Sequence, residues 1–115
     1  MKTTKVNIKD LDGITLYYAI RISEGITYDD YDLRMLCGWQ SRYDDFDSVE
    51  PLFKEYVRRV EYDVVFQEYI ATSRVDENIF ATSILFPEAV AMCAARTIYK
   101  GKNVIDIPTC LLEDW

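Results

Sequence analysis

Two five-residue segments of this chain set carboxylates beside aromatic rings at the same spacing: Tyr28-Asp29-Asp30-Tyr31-Asp32 and Tyr43-Asp44-Asp45-Phe46-Asp47. Carboxylates in such a pattern could do three kinds of work. Asp29, Asp30 and Asp32 offer hard oxygens to a divalent cation, although the spacing lacks the glycine and distal glutamate of an EF-hand loop. A pair of carboxylates could share acid and base roles in a hydrolase of sugars or phosphates, but nothing in the spacing positions such a pair. Acids interleaved with rings also suit docking to a basic protein. The aspartates would steer the approach, and Tyr28, Tyr31, Tyr43 and Phe46 would serve as anchors. The plain alternative is a pair of solvated loops, because Asp favours caps and turns and charge runs usually face water.

The remaining chemistry is sparse. There is no histidine, which removes the commonest general base, the Ser–His and Cys–His nucleophile pairs and imidazole ligands. The four glycines are isolated, so no phosphate-cradling loop is present. Cys37, Cys93 and Cys110 have no zinc-type spacing. Cys93 lies on a helix face expected to be buried and reads as a packed thiol. No catalytic residue, metal ligand or cofactor is therefore assigned. The leading expectation is a binding module whose partner-binding residues are Tyr28, Asp29, Asp30, Tyr31, Asp32, Tyr43, Asp44, Asp45, Phe46 and Asp47. A divalent-metal-dependent enzyme using the Asp cluster is the contrasting class.

Charge supports that ordering. Thirteen basic and twenty acidic residues give a net charge of −7. Residues Glu24 to Glu50 hold eight acids against two bases, which is −6 of that total. Such a chain is repelled by nucleic acid and anionic membranes and attracts a basic protein. No apolar run approaches the roughly 20 residues of a membrane span. The opening MKTTKVNIKD lacks the apolar stretch of a secretion signal, and the odd, unpatterned cysteines suit a reducing cytoplasm.

The elements that must position these residues fit one domain of 115 residues. PEAVAMCAARTIYKG, Pro87 to Gly101, has a proline suited to a first helical turn, four alanines and a terminal glycine. Its small residues Val90, Cys93, Ala94 and Thr97 share one face and predict a helix lying close against a sheet. Asp12 is a plausible cap for a second helix, Gly13 to Ser23, stopped by Gly25. Ser48 could cap a third through Pro51, Leu52, Phe53, Tyr56 and Val57, although KEYVRRVEYDV can also be read as a strand. Apolar and polar residues alternate from Val60, which predicts a strand over Val60–Thr72. A turn at Arg74–Asn78 would lead to a second strand, Ile79–Leu85. Short strands are expected at Val6–Asp10 and Val104–Ile107. Tyr28 to Asp47 reads as loops around an apolar element, Leu33–Trp39, whose type the pattern leaves open. The expected fold is α+β, a small antiparallel sheet covered by the N-terminal and C-terminal helices.

The two terminal segments resemble the NinX family of phage proteins. Leu11, Gly13, Leu16, Ala19, Ile20, Glu24 and Gly25 match that family's opening helix. Pro87, Ala91, Met92, Gly101, Val104 and Pro108 match its closing helix and strand, and Tyr69-Ile70-Ala71 corresponds to an aromatic-x-Ala strand before them. The family's central Gly-Gly pair is absent, Leu85-Phe86 replaces its Gly-x-Thr, and Cys93 stands where an Arg usually follows Met. The resemblance implies a small phage accessory protein acting in the host cytoplasm. It carries over no reaction and no catalytic residue.

Overall fold

The computed structural model describes residues 2–37, 43 and 45–112. The fold is α+β, with four α-helices and two antiparallel sheets among the described residues. Strand β1 (Thr3–Asn7) pairs with β5 (Val104–Pro108), setting Val6 opposite Ile105. The strand expected at Val6–Asp10 lies earlier, because Ile8–Asp10 tightens into a 3-10 turn that buries Ile8.

Helix α1 (Gly13–Ser23) starts where Asp12 predicts it. The Asp12 N–H donates to Thr15 Oγ1 at 3.1 Å, and the Thr15 and Leu16 N–H groups donate to the Asp12 carbonyl. Gly25 follows at φ +88°, a left-handed turn in which a side chain would be strained. Helix α4 (Phe86–Ile98) begins at Phe86, one residue before its proline. Its small residues are buried on more than one side, with Ala89, Val90, Ala91, Cys93, Ala94, Ala95 and Thr97 all enclosed. The reason is tertiary. Helix α4 covers the three-stranded sheet on one side, while α1 and helix α3 (Phe46–Tyr56) pack on its others, and α1 also reaches β5. The Tyr99 hydroxyl donates to the Ala19 carbonyl at 2.6 Å, tying the end of α4 to α1.

The region from Tyr28 to Asp47 departs from the expected loops. Among its described residues it forms helix α2 (Asp30–Cys37) and the first turn of α3. Leu33–Cys37 is thus helical, and Trp39 and Asp44 lie outside the described residues. Leu33 and Leu36 are the buried contacts of α2. Asp45, not Ser48, caps α3 by accepting from the Ser48 N–H at 2.8 Å, which moves the helix start forward.

The strand expected over Val60–Thr72 is two. Strands β2 (Val57–Asp63) and β3 (Glu68–Ser73) form a hairpin, and β4 (Phe80–Ser83) adds to β3. The alternation through Val64 and Phe66 is broken by Asp63, whose Oδ1 accepts from the N–H groups of Val65 at 2.9 Å and Phe66 at 3.3 Å. This Asx turn reverses the chain, and Gln67 completes it at φ +54°. Strand β4 ends at Ser83, where that hydroxyl accepts from the Leu85 N–H at 3.1 Å and leads the chain into α4. The core runs through Leu11, Leu16, Ile20, Val49, Val57, Val90 and Ile107. Each such side chain contributes about 1.5–3 kcal/mol on burial.

Candidate functional site at two helix starts

The repeated acidic segments are two helix N-termini. Asp29 precedes α2 and accepts from the Asp32 N–H at 2.8 Å, while Asp32 reaches back to accept from the Asp29 N–H at 3.3 Å. This reciprocal pair satisfies two N–H groups that a helix end otherwise leaves open. In the second segment the capping residue is Asp45, whose carbonyl also accepts from the Ser48 hydroxyl at 2.8 Å. The two repeats therefore engage their helices out of phase by one position. Asp30 and Asp47 fall in the first turns of α2 and α3, where the macrodipole favours negative charge.

The four rings divide. Tyr43 is 7% exposed and belongs to the core, its ring 5.6 Å from that of Tyr17. Tyr28 is half-buried with its ring 5.7 Å from Tyr18. Both already pack on α1, which leaves Tyr31 and Phe46 as the more exposed of the four rings. Tyr31 is 69% exposed, and Phe46 is 52% exposed with its ring 5.8 Å from Phe86. Asp29, Asp30, Asp45 and Asp47 are exposed, and Asp32 is partly so. Among the described residues, none of these five carboxylates has a Lys or Arg partner within ion-pair distance. No group of three acidic or cysteine side chains among the described residues converges in a way that could hold a metal ion.

Sequence reasoning missed what joins the two segments. Arg21 on α1 pairs with Glu24 at 3.0 Å and lies 5.9 Å from the centroid of the Tyr17 ring. Burial disfavours its charge, yet the Tyr28 hydroxyl, Tyr17 and Glu24 together hold its pKa above the ordinary arginine value. Burial in turn pushes the Tyr28 and Tyr43 hydroxyls up. The leading tyrosine of each acidic segment thus docks on the same arginine-bearing stretch of α1. The only signal for this in the sequence is the run Tyr17, Tyr18 and Arg21, which reads as ordinary helix surface.

A second feature escaped the sequence. An open cleft of about 800 Å³ is lined by Lys9, Arg96, Lys100 and Lys102, with Asp10 and Asp76 among them. Much of this charge is committed to structure. Lys100 pairs with Asp76 at 3.5 Å, and Arg96 Nη1 donates to the Phe80 carbonyl at 2.7 Å. Three of these cations stand at or beyond the C-terminal turn of α4, where its dipole favours them. Cys93 is fully buried. Burial pushes its thiol up to about 11, so it is protonated near neutral pH. Compared with protein-family models, with curated proteins and with solved structures, the chain finds no match.

Proposed function

We propose that this chain is a binding module that takes a protein with a basic surface, using the exposed starts of α2 and α3. The observation that carries this reading is the set of carboxylates at Asp29, Asp30, Asp32, Asp45 and Asp47, left without a cationic partner among the described residues. Tyr31 in the first turn of α2 and Phe46 at the start of α3 are exposed rings next to them in the chain. Asp30 and Asp47 supply the steering charge, while Asp29, Asp32 and Asp45 mainly hold the helix starts in place. Tyr31 and Phe46 are the ring anchors. The resemblance of the terminal segments to the NinX proteins supports a phage accessory role, with a host protein, such as one whose basic groove binds nucleic acid, as the partner.

The test is kinetic. With a partner captured from bacterial host lysate, Asp30→Lys with Asp47→Lys should slow association and flatten its salt dependence, since steering acts on the on-rate. Tyr31→Ala should speed dissociation. Association that ignores both substitutions would remove the helix starts from the interface. Melting curves with and without Mg²⁺ or Ca²⁺ address the contrasting metal-dependent class, in which the ion would raise the melting temperature.

A further inference from the structure

Strand β2 forms one edge of the three-stranded sheet, and no strand pairs with its outer side among the described residues. Free edges invite pairing with another chain. In a chain of net charge −7, most surfaces repel a second copy, but β2 does not. Its residues Arg58, Arg59, Glu61 and Asp63 cancel in charge. Arg59 and Glu61 flank Val60, stand 54% and 60% exposed, and pair with each other at 3.0 Å.

That order is self-complementary. When two such edges run antiparallel about Val60, Val60 faces Val60, Arg59 faces Glu61 of the second copy, and Glu61 faces its Arg59. Directly opposed charges of opposite sign stabilise a strand pair, and like charges destabilise it. An axis at Arg59 would set Arg59 against itself, and one at Glu61 would set Glu61 against itself while pairing Arg59 with Asp63, so of the three only the axis at Val60 opposes no like charges. Beyond the strand, the turn residues Val64, Val65 and Phe66 are each 73% or more exposed.

We propose that β2 pairs with β2 of a second copy about a two-fold axis at Val60, joining two three-stranded sheets into one of six strands. The contact is isologous, so each subunit presents the same patch. Like any association of two copies, the dimer depends on concentration.

The experiment is sedimentation of the full chain from micromolar to millimolar concentration, alone and as charge variants. Arg59→Glu and Glu61→Arg should each weaken self-association about tenfold, because each turns two favourable pairs into two like-charge pairs. Mixing the two variants should restore the dimer, since the two acids flanking Val60 in one copy then meet the two arginines flanking it in the other. Circular dichroism on each variant checks that the fold is retained. A wild-type chain that stays monomeric at millimolar concentration would overturn the proposal, leaving the edge to a different protein. So would a dimer indifferent to both substitutions, or a mixture that does not recover.

Discussion

Asp45 and Asp47 stand two residues apart and do different things. Asp45 holds the first turn of α3 through the Ser48 N–H, whereas Asp47 is exposed and bonds to nothing among the described residues. Asp45→Ala should therefore cost about 1 kcal/mol of stability, the usual loss for a missing cap. Asp47→Ala should cost no more than a few tenths, from the dipole alone. Urea denaturation of the two variants measures the difference. Equal losses would mean that the carboxylates share one role. The same contrast applies at Cys93. With its thiol pushed up to about 11 and fully buried, it should react slowly with a thiol reagent in the native state and quickly in denaturant. Fast native labelling at Cys93 would contradict its place in the core.

At the level of elements, α4 is the part on which the others rest. Ala94 is fully buried between the sheet and the neighbouring helices. Ala94→Asp should destabilise the protein by more than about 3 kcal/mol, since an unpaired carboxylate would be enclosed there. A melting temperature within a degree or two of the parent would mean that this face is not packed. Helices α1 and α4 were legible because their caps, proline, alanines and terminal glycines all point the same way. The hairpin turn was not. Asp63-Val64-Val65-Phe66 continues an alternating apolar pattern, and only the Asx turn at Asp63 reverses it, a bond that periodicity does not encode. The starts of α2 and α3 were hidden for a related reason. Asp is common both in loops and at caps, and which role it takes depends on Leu33, Leu36, Val49 and Leu52 finding the core behind it. The four proposed ring anchors were not separable in the sequence, because whether each ring is buried depends on tertiary packing, against α1 for Tyr28 and Tyr43, and not on the local pattern.

Across the whole molecule, one consequence of the tyrosine-rich interior is a dependence on alkaline pH. Burial raises the pKa of Tyr18, Tyr28, Tyr43, Tyr56 and Tyr99 above the ordinary tyrosine value of 10.0. A raised folded-state pKa means that the native protein holds its protons more tightly than the unfolded chain. That stability is fully present below pH 10 and is lost as pH rises through the folded values. Unfolding should thus be steep above about pH 10. Ultraviolet absorbance should show these hydroxyls ionising together with loss of structure. Titration of every tyrosine near pH 10 with the far-ultraviolet circular dichroism unchanged would show that these rings are solvated.

Recognition, on the proposed reading, belongs to the starts of α2 and α3. A photo-crosslinking residue at Tyr31 reports on that surface, and one at Phe80, beside the basic-lined cleft, serves as the control. In host lysate the Tyr31 probe should give a single basic protein as its main adduct. The Phe80 probe should not, and adding Asp30→Lys and Asp47→Lys should abolish the adduct while leaving the melting temperature nearly unchanged. The same adduct from both positions, or one that survives the charge reversal, would contradict the claim that these helix starts bind the partner.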